Sequence, residues 1–63
     1  MNNPLETVPK NYSNVEIRLK NGETHYVEYY LDANGNGDTW VSLGNRDNIY
    51  FTEEILWWKY TNN

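Results

Sequence analysis

The sequence predicts an all-β protein: a small antiparallel meander of four to five strands, curling into an SH3-like half-barrel. Three observations predict it. Residues 14–20 alternate strictly between apolar and polar side chains, Asn21-Gly22 follows them at once, and the later β-branched and aromatic segments are short and separated by turn formers. No stretch carries the periodicity of an amphipathic helix, so two-layer packing against helices gives way to a sheet closing on itself.

The first strand, over 14–20, reads Asn-Val-Glu-Ile-Arg-Leu-Lys, with Val15, Ile17 and Leu19 on one side and Glu16, Arg18 and Lys20 on the other. Asn21-Gly22 marks a hairpin, and the Tyr- and Val-rich run 24–31 is the returning strand. The length of the turn decides which returning residues are buried. A two-residue loop sets Val15 opposite Glu28 and puts a carboxylate on the apolar side. A three-residue loop with Gly22 in the left-handed conformation sets Val15 opposite Val27 and Ile17 opposite His25. The second register is preferred, because a slip of one residue sends every side chain to the wrong face. It predicts Val27, Tyr29 and Leu31 inside, with Tyr26, Glu28 and Tyr30 outside. Residues 39–43, Thr-Trp-Val-Ser-Leu, read as a third strand. Residues 48–51 read as a fourth, after the turn-forming Gly44-Asn-Arg-Asp47. Thr52-Glu53-Glu54 forms one helical turn or a bend, and residues 55–60 close the domain as an aromatic strand. The single β domain thus spans 12–60, between an irregular arm over 1–11 that holds Pro4 and Pro9 and a polar tail over 61–63.

Size and charge narrow the function. A chain of 63 residues makes one domain that buries only about 60% of the surface its unfolded chain exposes. With no Cys, a disulfide framework and a thiolate zinc site are both excluded, which fits a reducing cytoplasm. The opening residues have neither a basic nor an apolar leader segment, and no apolar run approaches the roughly 20 residues that a bilayer requires. Five basic against nine acidic side chains make the molecule an anion, so on average it repels a phosphate backbone and favours a basic protein surface as partner.

The run Asp32-Ala-Asn-Gly-Asn-Gly-Asp38 is spelled like the first half of an EF-hand loop. Asp32, Asn34 and Asn36 fit ligand positions 1, 3 and 5, and Gly37 fits the glycine at 6. Position 12 is Leu43 where the bidentate Glu belongs. The run therefore reads as an inter-strand connector in which Asn and Gly tolerate positive φ, and as a weak calcium site at most. Catalysis finds even less support. His25 is the only imidazole, Ser13 and Ser42 lack a nucleophile elbow, and the adjacent Glu53 and Glu54 do not form an acid/base dyad. The reading is a binding protein with no cofactor, not an enzyme.

Aromatic residues make up 16% of the chain, including three Trp and six Tyr, more than one small core can enclose. Trp40, Phe51 and one of the neighbours Trp57 and Trp58 are expected inside, because adjacent strand residues point to opposite faces. If Trp58 points in with Leu56 and Tyr60, Trp57 is exposed beside Ile55; the other register exposes Trp58. Leu5 and Val8 of the arm are candidates to cover that face. The expected partner-binding set is Tyr26, Tyr30, Trp57 and Trp58, rimmed by Glu28, Asp32, Asp38, Glu53 and Glu54. Exposed Trp and Tyr dominate binding hot spots, and an acidic rim selects basic partners.

The run VPKNYSNVEIRLKNGETHYVEYY, followed by a Gly-rich loop, a Trp-bearing strand and the ending EEILWWKY, resembles a small domain-of-unknown-function family of phage and prophage proteins. Val15, Ile17, Gly22, Tyr29, Tyr30, Trp40, Ile55 and Trp58 stand at the matching places. The resemblance implies a phage-like β domain working in the cytoplasm of a bacterial host, and supplies no active-site residues. Together with the acidic, aromatic surface it suggests an inhibitor or modulator of a host nucleic-acid-handling protein. Two alternatives stay open: a single-strand nucleic-acid or sugar binder stacking on Tyr26, Tyr30 and Trp57, if the fold gathers Arg18, Lys20, Arg46 and Lys59, and an accessory that lends an edge strand. Exposed Trp and open edges also make a homodimer plausible.

Overall fold

The computed structural model describes residues 1–31 and 37–61. Its elements follow in the order β1 (Asn14–Leu19), β2 (Thr24–Tyr30), β3 (Thr39–Ser42), β4 (Ile49–Tyr50), a 3₁₀ turn η1 (Thr52–Glu54) and β5 (Ile55–Tyr60). They build one open antiparallel sheet with the order β4-β3-β2-β1-β5.

The hairpin chemistry sets the register of β1 against β2. Gly22 takes a φ of 96°, a region that costs a side-chain-bearing residue steric strain. The Leu19 N–H donates to the Glu23 carbonyl at 2.8 Å across the three-residue loop. Val15 then opposes Val27, and Ile17 opposes His25, as the three-residue loop predicts.

The short link between β4 and β5 explains the curl. These strands are the two edges of the sheet, about 19 Å apart if four strand spacings lay flat. Only Phe51 and η1 separate Tyr50 from Ile55, and five extended peptide steps reach roughly 17 Å at most, less once a 3₁₀ turn is included. The sheet therefore bends until its edges approach. The Trp40 indole N–H donates to Thr52 Oγ1 at 3.1 Å, the Lys20 N–H to the Glu54 carbonyl at 2.9 Å, and η1 is held against both β3 and β1. At the entry to η1 the Phe51 N–H donates to Glu54 Oε2 at 2.9 Å.

Inside the curl lie Val15, Ile17, Leu19, Val27, Tyr29, Trp40, Ile55 and Trp58, with Tyr50 packed against them and no buried polar residue among those described. The N-terminal arm covers one end of this core. Asn2 pairs with the outer edge of β5 through reciprocal backbone bonds to Trp58 of 2.8 and 2.9 Å. The Trp58 indole N–H donates to the Thr7 carbonyl at 2.8 Å, and the Lys10 N–H donates to the Tyr60 hydroxyl at 3.0 Å. Pro4 and Pro9 are the buried arm residues, while Leu5 and Val8, expected to dock, stay exposed. Rigid rings with no N–H to satisfy can be enclosed at little cost in an irregular segment.

Three sequence expectations are corrected. Leu31 is 54% exposed, because pairing with β3 ends at Tyr30 opposite Thr39. Phe51 is 49% exposed, because pairing ends at Tyr50 opposite Trp40 and Phe51 turns out into η1. In β5, Trp58 is buried together with Ile55, not with Leu56. Leu19 opposes Ile55 and Arg18 opposes Trp57, so Leu56 is an extra residue in a β-bulge. The bulge breaks the period of two, bringing residues three apart to one face.

Candidate binding surfaces

The outer face of the sheet carries the side chains that alternate with the core. Across the strands, Trp57 opposes Arg18, and Lys59 opposes Glu16, which opposes Tyr26. One row further on, Asn14 opposes Glu28, which opposes Val41. Tyr30 follows on β2 opposite Thr39. The Arg18 guanidinium lies 6.0 Å from the centre of the Trp57 ring, and the Lys59 ammonium 5.9 Å, both within cation–π range. Lys59 Nζ also stands 3.8 Å from Glu16 Oε1.

From the turn between β3 and β4, Arg46 reaches back onto this face. It donates to Glu28 Oε1 at 2.7 Å and to the Tyr30 hydroxyl at 2.5 Å, while that hydroxyl donates to the same carboxylate oxygen at 2.6 Å. The hydrogen bond from Arg46, followed by that from Tyr30, holds the Glu28 carboxyl below the usual glutamate range. The same carboxylate raises the Tyr30 hydroxyl and the Arg46 guanidinium above their ordinary values. Tyr12 packs edge-on against Tyr30, with centroids 5.4 Å apart. Tyr26 is 55% exposed.

A second surface surrounds η1, where two shallow grooves meet at Thr52 and Glu53. One is lined by Gly37, Asp38 and Phe51, the other by Leu5, Lys20, Ile55 and Leu56. Leu5, Phe51 and Leu56 offer exposed apolar surface beside exposed Glu53 and Glu54. Asp38 accepts a hydrogen bond of 2.5 Å from the buried Tyr29 hydroxyl. Burial, with this carboxylate adding to it, pushes the Tyr29 hydroxyl far above the ordinary tyrosine range.

The expected partner-binding residues therefore divide. Tyr26, Glu28, Tyr30 and Trp57 share the outer face. Asp38 and Glu53 line the groove at η1, with Glu54 beside them. Asp32 lies outside the described residues, as do Asn34 and Asn36 of the candidate calcium loop. Trp58, at 3% exposed, sits in the core with its indole N–H bonded to the arm and offers no surface to a partner. Arg18, Arg46 and Lys59 come onto the face that carries Trp57, Tyr26 and Tyr30, the gathering that the stacking alternative requires, whereas Lys20 lines the groove at η1; Phe51 and Leu56 beside Glu53 are a juxtaposition that the residue pattern did not suggest. The alternating Arg18 and the Trp57-x-Lys59 spacing were visible, but the β1–β5 register that juxtaposes them was not.

His25 stacks on Tyr50 with centroids 4.8 Å apart, and its Nε2 lies 2.9 Å from Glu23 Oε1. No serine hydroxyl joins that pair in a hydrogen bond among the described residues. Nor do they contain a group of three or more side chains placed to hold a metal, or a helix long and apolar enough to cross a membrane. No protein-family model, curated protein or solved structure matches the chain.

Proposed function

We propose that this chain is a small protein-binding module that modulates a host nucleic-acid-handling protein by docking the surface around η1 on a basic patch of that partner. The observation that carries this reading is the position of Glu53 between exposed Phe51 and Leu56, in grooves that also reach Asp38 and Leu5. Apolar side chains supply contact area that excludes water. The carboxylates choose a cationic partner and speed its approach. Among the described residues, Lys20 is the one basic side chain lining these grooves, against Asp38 and Glu53, so their local charge is negative. A protein that normally grips phosphates presents the complementary surface.

The test is capture from a bacterial lysate with the tagged chain, beside the double variant Phe51→Ser/Leu56→Ser and the variant Glu53→Lys, each first checked for its β-sheet circular dichroism. The expected result is one nucleic-acid-handling protein held by the native chain, released by salt and lost from both variants. Equal retention by the variants, or recovery of nucleic acid alone, would overturn the reading.

A further inference from the structure

The overall charge of −4 is not spread evenly. The outer face gathers Arg18, Arg46 and Lys59, three of the five basic side chains, and among the described residues its strands carry the carboxylates Glu16 and Glu28. Glu28 is engaged by Arg46, and Glu16 stands beside Lys59. Arg18 has no carboxylate partner among the described residues. Its Nη1 donates to the Gly22 carbonyl at 3.2 Å, and its shielded Nε has no partner. The face thus carries positive charge on a negative molecule, and that charge stands among aromatic rings.

We propose that this outer face is a second binding site, separate from the η1 surface, and that its ligand is single-stranded nucleic acid. Trp57, Tyr26 and Tyr30 are the stacking platforms; Arg18, Lys59 and Arg46 meet the phosphates. Each ring has a cation in reach or one row away, which is the pairing that sequence-tolerant single-strand binding requires: a base on the ring and its phosphate on the neighbouring charge. Tyr26 and Tyr30 lie on the same face of β2, about 13 Å apart along the strand, and Trp57 extends the line across β1. Duplex is disfavoured because its bases are not free to stack on these rings. An acidic polypeptide could use the cations but would leave the ring faces unoccupied. With at most three phosphates neutralised, the logarithm of affinity should fall with the logarithm of salt at a slope of roughly −2, close to a 20-fold loss between about 50 and 200 mM.

The experiment is fluorescence polarisation of a labelled oligothymidylate of about ten nucleotides, titrated with the full chain and with Trp57→Leu, Arg18→Gln and Glu6→Gln. Binding is expected, with that salt slope. Trp57→Leu should weaken it roughly tenfold, Arg18→Gln should reduce the slope by about 0.7, and Glu6→Gln, at an exposed arm residue, should leave affinity no weaker. If Trp57→Leu fails to fold, the slope of Arg18→Gln decides. Absence of binding at the low salt, an unchanged slope in Arg18→Gln, or equal competition by polyglutamate would each overturn the proposal, the last assigning the face to acidic polypeptides. The η1 reading does not depend on any of these results.

Discussion

At the scale of single residues, the outer face shows a carboxylate made useful by its neighbours. Glu28 is kept ionised by Arg46 and Tyr30, so the folded chain binds its proton less tightly than the unfolded chain does. The stability it contributes is present above the ordinary glutamate value and is lost as the pH falls through the lowered one. Denaturation by urea at several pH values between about 3 and 7 should show the native chain losing this increment in acid. Arg46→Gln should start lower at neutral pH and lose less on acidification, and added salt should narrow the gap, since the pair is exposed. Parallel acid limbs in the two proteins would disprove the assignment. The hairpin register read from the sequence placed Tyr26, Glu28 and Tyr30 outward. Arg46 joins them from a turn 18 residues away, a distance along the chain at which no local pattern operates.

Elements are where local chemistry speaks most clearly. The β1–β2 hairpin was legible because its alternation and its Asn-Gly turn lie within one stretch of chain and point to the same register. Gly22 carries that agreement. A Cβ at this position meets nothing within 4 Å, so Gly22→Ala should cost only the left-handed backbone penalty, roughly 1 to 2 kcal/mol, and Gly22→Asn distinctly less. The comparison is a shift in urea midpoint; equal stability of all three proteins would mean that the loop relaxes into another turn. β5 was less legible. Each register weighed for it obeyed strict alternation, and the Leu56 bulge satisfies neither. The bulge exists because Ile55 packs where β1 ends while Trp58 must reach the core beneath the arm, two demands set by distant partners.

For the whole molecule, the arm is part of the fold and not an appendage. It supplies the bridge at Asn2, the acceptor for the Trp58 indole and two buried prolines. In so small a domain a single covered Trp is a large share of the core. Removal of residues 1–10 should therefore shift tryptophan emission to longer wavelength and lower stability by roughly 2 kcal/mol or more, from newly exposed apolar area alone. An unchanged spectrum and urea midpoint would show that the arm is dispensable. The same scale decides the charge pattern. Composition makes the chain an anion, and only the arrangement of the strands separates an acidic, apolar end at η1 from a cationic, aromatic sheet face.

The sequence by itself determined the all-β class, the succession of strands, the hairpin register and the apolar side of β1, because each depends on alternation and turn conformation within a few consecutive residues. It also determined that aromatic rings exceed what the core encloses. The tertiary structure decided which Trp is enclosed, what covers it, how β5 is offset and which charges meet which rings. Those outcomes follow from the pairing of β1 with β5 and from the bend that the short η1 link imposes on the open sheet, where packing between segments far apart in the chain overrides the period of two.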